Sequence, residues 1–216
     1  MKADSIFLRA KHWQIFIPLI AVPFVVMMVF SIIMTLFMIQ KDPQRPEEII
    51  WILYFMPLIM AVSGFVQFAW FWSILTKLSK LIPSHVKMPS GRIKAFFIIP
   101  IIYLCLILPF FIVFVINNMN PIQHGDASGI IGVAALGILL FFLHLFSVFC
   151  LLHTLYFVAK TIRVAELQTN TTFSDFIGDF FLTWFLPIGI WFLQPRINRL
   201  IEKESEIGNN ETLLDH

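Results

Sequence analysis

The chain has 216 residues, of which 59% are hydrophobic, 16% aromatic and 13% charged, and its mean hydropathy is +0.86. Soluble domains carry about 25% charged residues and roughly 45–50% apolar ones, so the polar surface needed to cover a water-soluble globule is missing. A balance of 15 Lys and Arg against 13 Asp and Glu excludes a strongly basic nucleic-acid binder, and the apolar content excludes a disordered chain.

In chain order, four stretches free of Asp, Glu, Lys and Arg cover residues 13–39, 49–76, 95–116 and 129–159. Each reaches the roughly 20 helical residues that cross a bilayer. A fifth, 176–193, is shorter and contains Asp179. The predicted fold class is all-α: an integral membrane helical bundle of four long spans plus a fifth, Pro/Gly-broken segment. A flank (1–12) precedes a single transmembrane domain (13–194), and an amphipathic tail (195–216) follows it. The first apolar run has the basic flank of a signal peptide, but its length and the lack of a small-x-small cleavage site predict a persistent span.

Basic residues orient the bundle. Lys2, Arg9, Lys11, Lys77, Lys80, Lys87, Arg92, Lys94, Lys160 and Arg163 fall on one side, and only Lys41 and Arg45 on the other. This places the N-terminus in the cytoplasm. Trp13, Trp51, Trp70 and Trp72 lie near span ends, as an aromatic belt requires.

The fifth segment decides where the C-terminus lies. If it crossed, Arg196, Arg199 and Lys203 would sit outside. Pro187 and Gly189 interrupt its centre; proline removes a backbone donor and clashes with the preceding turn, and glycine weakens helix. A re-entrant hairpin or an interfacial helix keeps the basic tail inside, whereas a kinked span does not. Ser174 is the predicted N-cap, with Asp175 in the first turn. Pro195 is expected to open a new short helix with Ile197, Leu200, Ile201 and Glu204 along one edge.

Polar groups inside the apolar runs are the candidate functional residues. Pro18, Pro23, Pro57, Pro100 and Pro109 predict bent helices. His144 lies at the middle of the fourth run, and an ionisable group at the bilayer centre is a functional-site hypothesis by default. Ser63 and Tyr103 fall at matching depth, which predicts a polar site of His144, Ser63 and Tyr103. A second candidate cluster, Asp175, Asp179 and His153, is interfacial, with the carboxylates expected to pair with Lys160 or Arg163. Gln67 and the stretch from Gly132 to Gly137 are expected at helix contacts, and Cys105 and Cys150 as small core residues. His144 and His153 are nine residues apart and point to opposite sides of a straight helix. No catalytic constellation, metal site or cofactor motif is predicted.

The segments KHWQIF (Lys11 to Phe16) and FLPIGIWFLQPRIN (Phe185 to Asn198) resemble small multi-pass inner-membrane proteins of the Bacteroidota type. The resemblance implies a bacterial cytoplasmic (inner) membrane and supplies no catalytic residues. The functional expectation is a non-enzymatic accessory or interaction subunit whose partners are the lipid bilayer and other membrane subunits or further copies of itself, with no nucleic acid. The alternatives are a small oligomeric channel or transporter using His144, and an intramembrane lipid-modifying enzyme.

Overall fold

A computed structural model describes residues 6–40, 46–86, 88, 90–107, 109–110, 113–114 and 127–214; side chains at 37–40, 46–60, 90–92, 127–130 and 208–214 lie outside the description. Among the described residues every regular element is a helix, and none is a strand. The order is α1 (Ile6–Arg9), α2 (His12–Phe16), a π-helical turn (Ile17–Ala21), α3 (Val22–Gln40), α4 (Pro46–Thr76) and a 3-10 turn (Leu78–Leu81). Then follow α5 (Ser90–Ile102), a second π-helical turn (Tyr103–Ile107), α6 (Ala127–Leu167), α7 (Phe173–Trp184) and α8 (Leu186–Leu214).

Two helices among the described residues are long and apolar enough to cross a bilayer, His12–Leu36 and Ile131–Leu167, against the four expected. The apolar helix Ile93–Ile107 is shorter than a span. It loses regular α geometry at Tyr103, three residues after Pro100. The expected outer loops, with Lys41, Arg45 and the stretch from Asn117 to Ser128, lie mostly outside the described residues, as do the side chains of Trp51 and Pro57. In the most apolar window of each long helix only 11% of the residues are buried. Phe24, Val25 and Ile32 on one, and Ile138, Phe141 and Phe142 on the other, are exposed. A core helix of a soluble protein would be covered; a helix apolar all round and left open matches an apolar surrounding.

The chain forms two compact units, Met1–Val86 with Val158–His216, and Lys87–Phe157. In the first, α2 starts where the Gln14 side chain accepts the Lys11 backbone N–H at 2.8 Å, half of a capping box. The π-helical turn follows at once, with the Val22 N–H reaching back to the Ile17 carbonyl. In that register the Pro18 carbonyl awaits the N–H of residue 23, which is a proline and has none. The Ser63 hydroxyl fills the gap, donating to the Pro18 oxygen at 3.2 Å. Hydroxyls elsewhere also return to the chain: Thr35, Ser73, Thr76, Thr154 and Thr183 each donate to the carbonyl one turn back, a bond that needs no water.

The fifth segment is two helices. The ring of Pro187 cannot bond the Thr183 carbonyl and would clash with it, so α7 ends at Trp184 and the chain turns at Phe185 (φ −89°, ψ 65°). The break therefore falls at Phe185 rather than at Pro187 or Gly189. Pro187 occupies the first turn of α8, where its missing donor costs nothing. Gly189 sits where α8 meets α7: a Cβ there would stand 1.7 Å from the Leu182 carbonyl oxygen. Pro195 does not open a new helix, because α8 runs through it. The buried stripe of Ile190, Leu193, Ile197 and Ile201 continues on both sides of it and holds one register. The apolar edge of the tail is thus buried within the chain as far as Ile201.

In the second unit Ile93, Phe97 and Tyr103 are buried, and Cys150 is buried on α6. Cys105, expected in a core, is exposed. Among the described residues, a Cβ on Gly132 or Gly137 would meet no atom within 4 Å.

Candidate functional site

Three polar arrangements stand out, two in the first unit and one in the second. The first is ionic. Arg196 on α8 donates through Nε to Glu166 Oε1 at 2.6 Å and through one Nη to Glu166 Oε2 at 2.5 Å. It also grips both carboxylate oxygens of Asp179 on α7, the longer bond being 3.0 Å. A planar guanidinium can hold two carboxylates in this way and an ammonium cannot. Arg163, one turn before Glu166, adds a 3.3 Å contact to the same carboxylate. Burial raises the Glu166 carboxyl, but the hydrogen bonds and charges of Arg196 and Arg163 outweigh it and hold the group below its ordinary range. Hydrogen bonds from Glu166 and then Asp179 push Arg196 above its ordinary value. All these groups lie beyond the charge-free run that ends at residue 159.

The second arrangement joins the two ends of the chain. Gln194, fully buried, accepts the Trp70 indole N–H at 2.8 Å. Its amide nitrogen faces the carbonyls of Phe7 (3.0 Å) and Ala10 (2.9 Å), and Asn198 donates to Ala10 as well at 3.2 Å. These carbonyls close the short helix α1, whose last C=O groups have no helical partner. Trp70 is therefore a fully buried core residue and not part of an aromatic belt; Trp13 and Trp72 are exposed. Replacing Gln194 by leucine leaves a buried indole donor and the Phe7 carbonyl without their bonds and Ala10 with only that from Asn198, so we expect a loss of about 2–3 kcal/mol, measured as a lower unfolding temperature in detergent. Gln194→Glu is expected to lose stability too, because a carboxylate cannot donate to the carbonyls.

The third arrangement is in the second unit. His144 Nδ1 lies 3.1 Å from the Tyr103 hydroxyl, with the ring centroids 5.5 Å apart. Tyr103 is buried, at the start of the second π-helical turn, whereas His144 is exposed. Single π-turns concentrate at functional sites. Among the described residues Nε2 of His144 has no hydrogen-bond partner. Ser63, the third member expected at this site, belongs to the first unit and bonds Pro18 there.

Each member of the expected cluster of Asp175, Asp179 and His153 has partners of its own within its unit. Asp175 accepts the Thr172 backbone N–H at 2.7 Å and the Thr172 hydroxyl at 2.8 Å. Thr172, not Ser174, is therefore the N-cap of α7, and these bonds, the backbone one first, hold the Asp175 carboxyl below its ordinary range. Asp179 is held by Arg196 rather than by Lys160 or Arg163. His153 packs among aromatic rings, 4.5 Å from Phe96 and 5.0 Å from Phe157. Among the described residues no three His, Cys, Asp or Glu side chains converge as a metal site.

No family model, curated protein or solved structure matches this chain. What the site can do must be read from its own geometry. Sequence reasoning missed Arg196, Glu166, Gln194 and Trp70 as partners. One signal was present: Gln194 is a lone amide at the end of an apolar run and next to a proline, and such a group needs a buried partner.

Proposed function

We propose that the chain is a multi-pass integral membrane protein of the cytoplasmic membrane, N-terminus inside, that acts as a non-enzymatic interaction subunit of a membrane complex. His144 carries this reading. It sits at the middle of an apolar helix, exposed, with one ring nitrogen bonded to Tyr103 and the other without a partner among the described residues. Lipid offers no hydrogen bonds, so an exposed polar ring at that depth is costly until another protein surface covers it. A neighbouring helix from a partner or a second copy supplies the cover and the missing bond.

An interhelical hydrogen bond of this kind contributes about 0.6–2 kcal/mol. We expect His144→Phe to weaken association roughly 3- to 30-fold, read from the detergent dilution at which the complex from native membranes dissociates. A wild-type protein that is monomeric in mild detergent, and unchanged by the substitution, overturns the proposal.

The same pair supports a second reading. In a ring of copies, a titratable imidazole beside a phenol would line a lumen. Ion or proton flux into liposomes that His144→Phe abolishes would favour this channel. In the lipid-enzyme reading the two carboxylates, Asp175 and Asp179, are engaged by a helix cap and by Arg196.

A further inference from the structure

We infer that α7 and α8 form a re-entrant hairpin that dips into the inner leaflet, with its exposed apolar stripe against acyl chains and the Arg196 cluster at headgroup level. This rests on the membrane reading above but fixes a different matter, the path of the C-terminal third of the chain. Asp179 and Arg196 are seventeen residues apart. A continuous helix would separate them by about 25 Å, so their bond requires the chain to fold back at Phe185.

The direction of the tip can be read from its neighbours in the same unit. Gln194 bonds the carbonyls of Phe7 and Ala10. Three residues nearer the tip, Trp191 packs on His12 at 4.4 Å and on Phe16 at 5.7 Å. Going toward the tip of α8 therefore means going from the basic flank into the first apolar run. The turn at Phe185 lies six residues beyond Trp191, about 9 Å deeper. That depth fits one leaflet, about half of the ~30 Å hydrocarbon core, and falls well short of the other side.

Side chains agree with this placement. Ile177, Phe181, Trp184, Phe185, Ile188 and Phe192 are exposed along the outer face of the hairpin, a continuous apolar stripe that water would not tolerate. Exposed Arg9, Lys11, Arg199 and Lys203 lie at the open end, where lipid phosphates would meet them. The turn itself is irregular backbone, and three amides around it are bonded within it: Phe185 N–H to Phe181 at 2.8 Å, and the N–H groups of Ile188 and Gly189 to Phe185 at 3.0 and 2.8 Å. Backbone at membrane depth needs internal bonds of this kind.

The test uses the full chain with Cys105→Ser and Cys150→Ala, carrying a nitroxide on Ile188→Cys or Lys203→Cys, in vesicles of phosphatidylethanolamine and phosphatidylglycerol. Oxygen, which concentrates in lipid, and a water-soluble nickel chelate compete as relaxers. We expect oxygen to dominate at position 188 and nickel at position 203, with the 188 label about 10 Å below the phosphates. Nickel dominance at 188 overturns the inference, as does protection from both reagents, which would mean a protein partner covers the hairpin. A third contrary outcome is reaction of Lys203→Cys with an impermeant reagent from the outer face only. Alkaline carbonate extraction separates the two levels. Release of the protein removes the membrane reading, whereas retention with a wet position 188 removes only the hairpin.

Discussion

Gly189→Ala is expected to be among the most damaging single substitutions in this protein. Its methyl group would stand 1.7 Å from the Leu182 carbonyl oxygen and 2.6 Å from the carbonyl carbon. The obstacle is backbone, so no rotamer change can relieve it, and α7 and α8 must separate. Overpacking of this kind costs about 3 kcal/mol or more, which lowers Tm by about 6–12 °C in a chain of this length. Gly178, in the interior of α7, gives the contrast. A Cβ there meets nothing within 4 Å, so Gly178→Ala is expected to stabilise the helix by about 0.5–1 kcal/mol. Thermal unfolding of both variants in one detergent checks the pair of signs. Equal effects would mean that the tight crossing at Gly189 does not exist.

The second large effect is expected at Arg196. Arg196→Met leaves the carboxylates of Glu166 and Asp179, whose side chains are 19% and 9% exposed, without their common cation. Removing one partner from a buried ionic cluster costs about 3–5 kcal/mol; the partial exposure of Arg196, 27%, argues for the lower end, about 3 kcal/mol. Arg196→Lys keeps the charge but not the two-sided grip and should recover only part of the loss. The pH dependence has a definite sign. The Glu166 carboxyl is lowered in the folded chain, so the stability it contributes is complete above the ordinary glutamate range and declines as the pH falls through its depressed folded value. Arg196 stays protonated throughout. In Arg196→Met the acid side behaves oppositely: protonation relieves the Glu166 carboxylate, left with only the 3.3 Å contact of Arg163, so the deficit relative to wild type shrinks as the pH is lowered. Urea or thermal titrations at neutral and acid pH measure this crossing.

How much of this was legible in the sequence varies with the physical range of each signal. The all-helical class followed from apolar runs of span length, and the break near Pro187 followed from a proline that cannot donate. Both are local. The exact turn at Phe185 was missed, because a proline disrupts the helix through the carbonyl four residues before it rather than at its own position. Trp70 was read as a belt residue because position near a span end is all a sequence reports; its burial depends on Gln194, which is 124 residues away. Likewise, the fate of Asp179 is set by Arg196, across a turn that periodicity cannot see. His144 and Tyr103, paired in the sequence by matching depth, share a hydrogen bond. Ser63 belongs to the other unit, where the missing donor at Pro23 leaves the Pro18 carbonyl for its hydroxyl.

The bonds of Gln194 to the carbonyls near the N-terminus have a consequence for biogenesis. Gln194 and Phe7 are 187 residues apart. At about 5–20 residues per second of synthesis, the first helix waits roughly 10–40 s for the side chain that caps it. During that interval the Trp70 indole and the α1 carbonyls have no final partners. The N-terminal part of the fold therefore closes only after the last apolar segment has been made. A chain that stops before Gln194 leaves the Trp70 indole and the carbonyls of Phe7 and Ala10 without these bonds.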